Sequence, residues 1–131
     1  MKKSFLAFVL PALFAMSTIL VSCSKDDVVQ TDPTQNLTKQ AEVYAAGAAT
    51  KVVLYSKETT IFAGYNKFYI ALYDSVSGKR ITNANIQLMP MMDMGTMMHS
   101  APYENPSSAN AVDQLFPCNA VFIMSSMGGS W

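Results

Sequence analysis

"YNKFYIALYD", residues 65–74, decides the fold class. Phe68, Ile70 and Leu72 fall on one side of an extended chain, and Lys67, Tyr69, Ala71 and Tyr73 on the other. Strict alternation over this length is the pattern of a half-buried strand, because successive side chains of a strand point to opposite faces. Asp74-Ser75-Val76-Ser77-Gly78-Lys79 follows as a turn, with Gly78 supplying a permissive backbone. "RITNANIQLMP", residues 80–90, then reads as a second strand. Ala84, Ile86 and Leu88 alternate there with Asn85, Gln87 and Met89, and Pro90 stops it.

Working outward, residues 52–55 and 60–62 are rich in β-branched and aromatic side chains and carry no helical period, so they also read as β structure. Residues 90–111 hold Pro90, Gly95, Pro102 and Pro106 with Ser and Asn between them, and read as a long loop of the kind that often carries function. "AVFIMSS", residues 120–126, is the next expected strand, with Phe122 and Ile123 in the core. "MGGSW" closes the chain as a tight turn and the first residue of a further strand, so the last strand or strands are expected to be missing. Short alternating strands without a convincing helix predict an all-β domain, an immunoglobulin-like β-sandwich, over residues 43–131.

The N-terminal residues set the compartment. Met1-Lys2-Lys3 is a short positive start, and residues 5–21 are apolar apart from Ser17 and Thr18. Small residues follow, so residues 1–22 read as a secretory signal. A membrane-spanning helix is the competing reading, but a span needs about 20 apolar residues, and Pro11 interrupts this run. Leu20-Val21-Ser22-Cys23 resembles the lipobox of bacterial lipoproteins. That resemblance implies that Cys23 is acylated and becomes the new N-terminus, anchoring the protein to a membrane of the cell envelope. Ser24-Lys25-Asp26-Asp27 resembles the surface-export signal of Bacteroidetes lipoproteins, which implies the outer membrane, on its periplasmic face or at the cell surface. Residues 23–42 are polar and expected to be a flexible tether.

Removing residues 1–22 leaves seven basic and nine acidic residues. A net charge near −2 offers no basic face for nucleic acid. If Cys23 is lipidated, Cys118 has no intrachain disulfide partner, and its plainest role is that of a small buried apolar residue.

The chemistry is concentrated in "LMPMMDMGTMMHSAP", residues 88–102, where Met89, Met91, Met92, Met94, Met97 and Met98 precede the single histidine, His99. A thioether is a soft, neutral ligand that suits Cu(I) and is poor for Mg(II), Ca(II) or Mn(II). It needs no deprotonation, and imidazole accepts copper in both oxidation states. The segment therefore reads as a candidate copper site, with Gly95 allowing a bend that returns Met97, Met98 and His99 toward the earlier methionines. Asp93 is a candidate to orient the His99 ring, as outer carboxylates do at metal sites. Met124 and Met127 are further methionines that sequence cannot place. The competing reading is a Met-lined hydrophobic contact surface for another envelope protein, since methionine is also the adaptable side chain of such surfaces. Nothing points to an enzyme: Gly-x-Ser-x-Gly, a phosphate loop and a zinc-spaced Cys/His pair are missing from the sequence. Asp93, His99 and Glu104 are the one conceivable acid/base set.

The run from Asp74, through Gly78-Lys79-Arg80-Ile81, Ala84-Asn85-Ile86-Gln87-Leu88-Met89-Pro90-Met91-Met92, His99-Ser100-Ala101-Pro102 and Val121-Phe122-Ile123-Met124, to Gly129-Ser130-Trp131, resembles YtkA-like domains over about residues 51–131. These are small immunoglobulin-like domains of exported bacterial proteins. The resemblance implies metal handling beside copper-efflux or other copper proteins, with Met89, Met91, Met92 and His99 at the positions that carry it.

Overall fold

A computed structural model describes residues 31–125. The expected signal peptide, Cys23, the first part of the tether, Met127 and the Gly-Ser-Trp terminus lie outside the described residues. Eight strands and no helix are found within them: β1 (Thr38–Tyr44), β2 (Thr50–Ser56), β3 (Gly64–Asp74), β4 (Arg80–Ile81), β5 (Met91–Asp93), β6 (Met98–Ser100), β7 (Tyr103–Glu104) and β8 (Phe116–Phe122). A large antiparallel sheet runs in the order β1-β2-β3-β8-β7, with β4 beside β3, and β5 and β6 form a second sheet. The fold is all-β and sandwich-like, as the alternation predicts.

β3 is the axis of the domain. It pairs β2 along one edge, from Thr50↔Asp74 to Ser56↔Phe68, and β8 along the other, from Gly64↔Phe122 to Ile70↔Phe116. Opposite residues of an antiparallel pair share a face, so the register collects one apolar surface. Val52 and Leu54 of β2, Phe68, Ile70 and Leu72 of β3, Ile81 of β4, and Phe116, Cys118, Ala120 and Phe122 of β8 stand together. Phe68 and Phe122 meet edge to face, with ring centroids 6.2 Å apart. Such a pair is worth about 0.5–1.5 kcal/mol beyond the area it buries.

The layer over this surface is not a regular sheet. Residues 82–90 run across it with Ala84, Ile86 and Leu88 turned inward and Asn85, Gln87 and Met89 outward. The predicted alternation is therefore present as burial. The predicted ladder is not: the strand ends at Ile81, and past a single bridge from Asn83 to Asn110 the backbone is tied down piecemeal. Ala84 N–H donates to Ala109 O at 2.8 Å, Ala111 N–H to Thr82 O at 2.8 Å, and Leu88 N–H to the Asn105 side-chain oxygen at 2.6 Å.

Four other boundaries differ from expectation. β1 begins at Thr38, inside the residues expected to be tether. Its bulge at Gln40 sends that side chain to Ser56 Oγ (2.8 Å) and Glu58 O (2.9 Å), which locks the edge strand to the following turn. Residues 60–62 are not a strand, and their neighbour Asn66 organises them. Its carboxamide accepts from Phe62 N–H (3.2 Å) and donates to Phe62 O (2.7 Å) and Gly64 O (2.9 Å). β8 starts at Phe116 and ends at Phe122, so Ile123 is exposed, not core. Residues 90–111 are not a plain loop, since they contain β5, β6 and β7. The 74–79 turn is as expected: Asp74 Oδ1 accepts from Val76 N–H (3.1 Å) and Ser77 N–H (2.6 Å), and Gly78 takes φ +70°.

Candidate functional site

The methionine segment is a β-hairpin. β5 and β6 pair as Met91↔Ser100, Met92↔His99 and Asp93↔Met98. The turn closes through Met94 N–H donating to Met97 O at 3.0 Å. Gly95, with φ +79°, takes the first central position, which a II′ hairpin turn reserves for glycine. Asp93 Oδ1 accepts the Gly95 N–H at 2.7 Å and braces the same turn. At the base, Ala101 N–H donates to Pro90 O at 3.1 Å. The bend expected at Gly95 is therefore where the chain reverses.

Register sorts the seven candidate ligands. Met92 and His99 are directly opposed, and Met94 and Met97 are opposed two positions nearer the turn. Side chains two apart on a strand share a face, so Met92, Met94, Met97 and His99 belong to one face of the hairpin. Met91, Asp93, Met98 and Ser100 belong to the other. Directly opposed Cβ atoms on such a pair lie about 4.5–5.5 Å apart, and diagonal ones about 7–8 Å, within reach of long side chains. Met91 and Met98 form such a diagonal pair. Met89 lies before Pro90, outside the hairpin. The seven residues thus do not form one constellation. They fall into a set of three thioethers and an imidazole, a diagonal thioether pair, and one outlying methionine.

Burial divides the first set again. Met92 is fully buried and forms the floor, Met94 is half-buried, and Met97 and His99 are exposed. Met89, Met97 and Met98 are more than half exposed, so the outer rim is a thioether surface.

Asp93 is not the orienter of His99. It lies on the opposite face of the hairpin, and Gly95 takes one of its oxygens. Glu104 sits on β7, where Oε2 accepts from Asn119 Nδ2 at 2.6 Å. The structure therefore gives Asp93, His99 and Glu104 three separate settings. Among the described residues no three His, Cys, Asp or Glu side chains gather into a metal-holding group, so the donors that the hairpin offers a soft ion are its thioethers and the one imidazole. Met124 is partly exposed just beyond β8.

Cys118 is buried among Phe68, Ala120 and Phe122 in the core. Burial pushes its thiol up to about 12, which keeps it protonated and unreactive, since the thiolate is the nucleophile and metal ligand.

One feature that the sequence did not reveal is a shallow groove of about 220 Å³ at the β8 edge, lined by Tyr65, Pro102, Tyr103, Glu104, Asn119, Ala120 and Val121. It assembles only through the β3–β8–β7 register, which joins residues far apart in the chain.

Comparison with protein-family models, with curated proteins and with solved structures finds no match.

Proposed function

We propose that this chain is a lipid-anchored protein of the bacterial cell envelope that binds copper on its methionine hairpin, for sequestration or for transfer to a copper-efflux or copper-enzyme partner. The observation that carries the reading is the Met92↔His99 register, with Met94 and Met97 continuing the same face. Three soft, neutral sulfurs and one imidazole form a donor set suited to Cu(I), with the imidazole tolerating Cu(II). The resemblance of residues 51–131 to YtkA-like domains supports the copper reading, and the resemblance of Leu20-Val21-Ser22-Cys23 to a lipobox supports the anchor. In this reading Met92, Met94, Met97 and His99 are the principal ligands, while Met91, Met98 and Met89 form an outer thioether surface that captures or releases the ion.

The test is competition for Cu(I) against a coloured chelator by the full chain. Two variants are compared with the parent: Met92→Leu/Met94→Leu/Met97→Leu/His99→Ala, and Met91→Leu/Met98→Leu. The first should lose tight binding and the second should retain most of it. Equal, weak binding by all three would refute the copper site.

The exposed Met89, Met97 and Met98 support a second reading, a hydrophobic contact surface for another envelope protein. On that reading methionine-to-leucine changes at these positions keep partner capture and methionine-to-aspartate changes abolish it.

A further inference from the structure

The face of the large sheet turned away from the core is built from tyrosines and cations. Register lays them in rows. Tyr44, Lys51, Tyr73 and Arg80 form one row across β1, β2, β3 and β4. Lys39, Tyr55, Tyr69 and Pro117 form another across β1, β2, β3 and β8. Tyr65 stands beside Val121, and Lys67 beside Asn119 and Glu104. Five of the chain's six tyrosines are on this one face. Val53 and Ala71 at its centre are sealed, while Tyr44 and Tyr65 at its margins are more than half exposed.

The cations lie against the rings. Lys51 Nζ is 4.8 Å from the Tyr73 centroid, the Arg80 guanidinium is 4.9 Å from the same ring, and Lys67 Nζ is 5.8 Å from that of Tyr69. Charge is segregated as well. Of the cations in residues 31–125, Lys39, Lys51, Lys67 and Arg80 belong to this face, and only Lys57 and Lys79 lie elsewhere. Glu58, Asp74, Asp93 and Asp113 lie off it. Three carboxylates belong to the face or its edge: Glu42, engaged by Lys39 at 3.2 Å and Lys51 at 4.0 Å, Asp32, held by Arg80, and Glu104, beside Lys67 in the register, so the four cations leave an excess of one positive charge.

The chain enters the domain at this face. Asp32 Oδ1 is held by Arg80 Nη2 at 3.0 Å, beside the Tyr73 ring that Arg80 covers. Cys23 is nine residues upstream of Asp32, which is at most roughly 30 Å of chain. An acyl anchor at Cys23 would therefore keep the domain within roughly 30 Å of the bilayer, on a chain that joins the domain beside this face. The hairpin springs from Leu88–Pro90 and Ala101, and Leu88 and Ala101 belong to the core side of the same sheet.

We propose that the Tyr/Lys/Arg face of β1–β2–β3–β8 docks on the anionic lipid surface that holds the anchor, which turns the methionine hairpin outward. The proposal rests on lipidation of Cys23. Tyrosine has the amphipathic ring favoured at the membrane–water interface. Lysine and arginine lay their apolar stems along the rings and present charge to lipid headgroups.

The full lipidated chain in phosphatidylcholine–phosphatidylglycerol vesicles tests this. Cys23 is acylated and Cys118 is buried, so an environment-sensitive fluorophore can be placed at one new cysteine. Lys67→Cys reports the tyrosine face, and Asn85→Cys the exposed side of the covering layer. Vesicle flotation is read alongside quenching by spin-labelled lipid. The expected result is flotation of both variants with several-fold stronger quenching at position 67. Adding Tyr44→Ser and Tyr65→Ser should bring quenching at position 67 down to that at 85 without loss of flotation. Flotation with equal quenching at both positions, or stronger quenching at 85, overturns the docking and leaves the anchor standing. Loss of flotation removes the anchor and the docking together.

Discussion

Met92 serves the fold and the proposed copper site at once, and two substitutions separate the roles. Its side chain is fully buried. Met92→Ala removes three buried heavy atoms, a transfer loss of about 2 kcal/mol at roughly 0.8 kcal/mol per methylene-sized group. The cavity left behind raises the cost to about 2–4 kcal/mol, within the range for buried methionine truncations. Urea slopes for small domains are about 1–3 kcal/mol/M, so the midpoint should fall by roughly 1–2 M. Met92→Leu keeps the volume and removes only the sulfur, and should cost less than about 1.5 kcal/mol. Its Cu(I) affinity should nevertheless fall at least about tenfold, which corresponds to about 1.4 kcal/mol. Urea denaturation followed by circular dichroism reads the first quantity, and chelator competition the second. A Met92→Ala midpoint equal to the parent's would refute the packing role. Parental Cu(I) affinity in Met92→Leu would refute the sulfur as a ligand.

Asn66→Ala should destabilise the domain by about 1–3 kcal/mol, because it strands the Phe62 and Gly64 backbone groups that the carboxamide satisfies; urea midpoints check this. Gly78→Ala should cost about 1–2 kcal/mol from the left-handed backbone alone, since a Cβ there meets no atom within 4 Å; the thermal midpoint reports it. Cys118 should resist alkylation in the folded protein and react on unfolding, a contrast that mass spectrometry resolves. Its folded pKa of about 12 lies above the ordinary value of 9.0. The unfolded chain therefore releases this proton first as pH rises. The contribution of Cys118 is complete below pH 9 and declines between 9 and 12, a decline that Cys118→Ala should lack in pH-dependent denaturation.

What the sequence disclosed was burial, and what it concealed was backbone pairing. The alternation in residues 65–74 announced both, because β3 has partners on two edges. The alternation in residues 84–89 was equally clear and marked inward-facing side chains correctly, yet that segment has no strand neighbour and forms no ladder. β1 shows the reverse. Its "TKQAEVY" is mostly exposed, so nothing in its polarity signals a strand, and its place is set by hydrogen bonds to β2. The early start of β8 was masked by Pro117, which reads as a breaker. β7 pairs only with Asn119 and Ala120, so β8 is an edge at Pro117, where proline is tolerated. The methionines were legible as a chemical group and their reversal at Gly95 followed from composition. Their division between two faces depends on a one-residue choice of register, which no local pattern specifies.

The strand order also sets a timetable. β1, β2 and β3 form a meander of neighbours that can pair as soon as Asp74 has been made. The second edge of β3 waits for β8, which begins only at Phe116. Through the whole of the intervening synthesis, Phe68 and Ile70 lack the β8 neighbours that extend their apolar face, and β3 keeps an open row of hydrogen-bonding groups over residues 64–70. Long-range pairing of this kind is slow and exposed to aggregation. A chain emerging in order would thus be most vulnerable between its third strand and its last described one, the interval in which a holding chaperone would have most to bind.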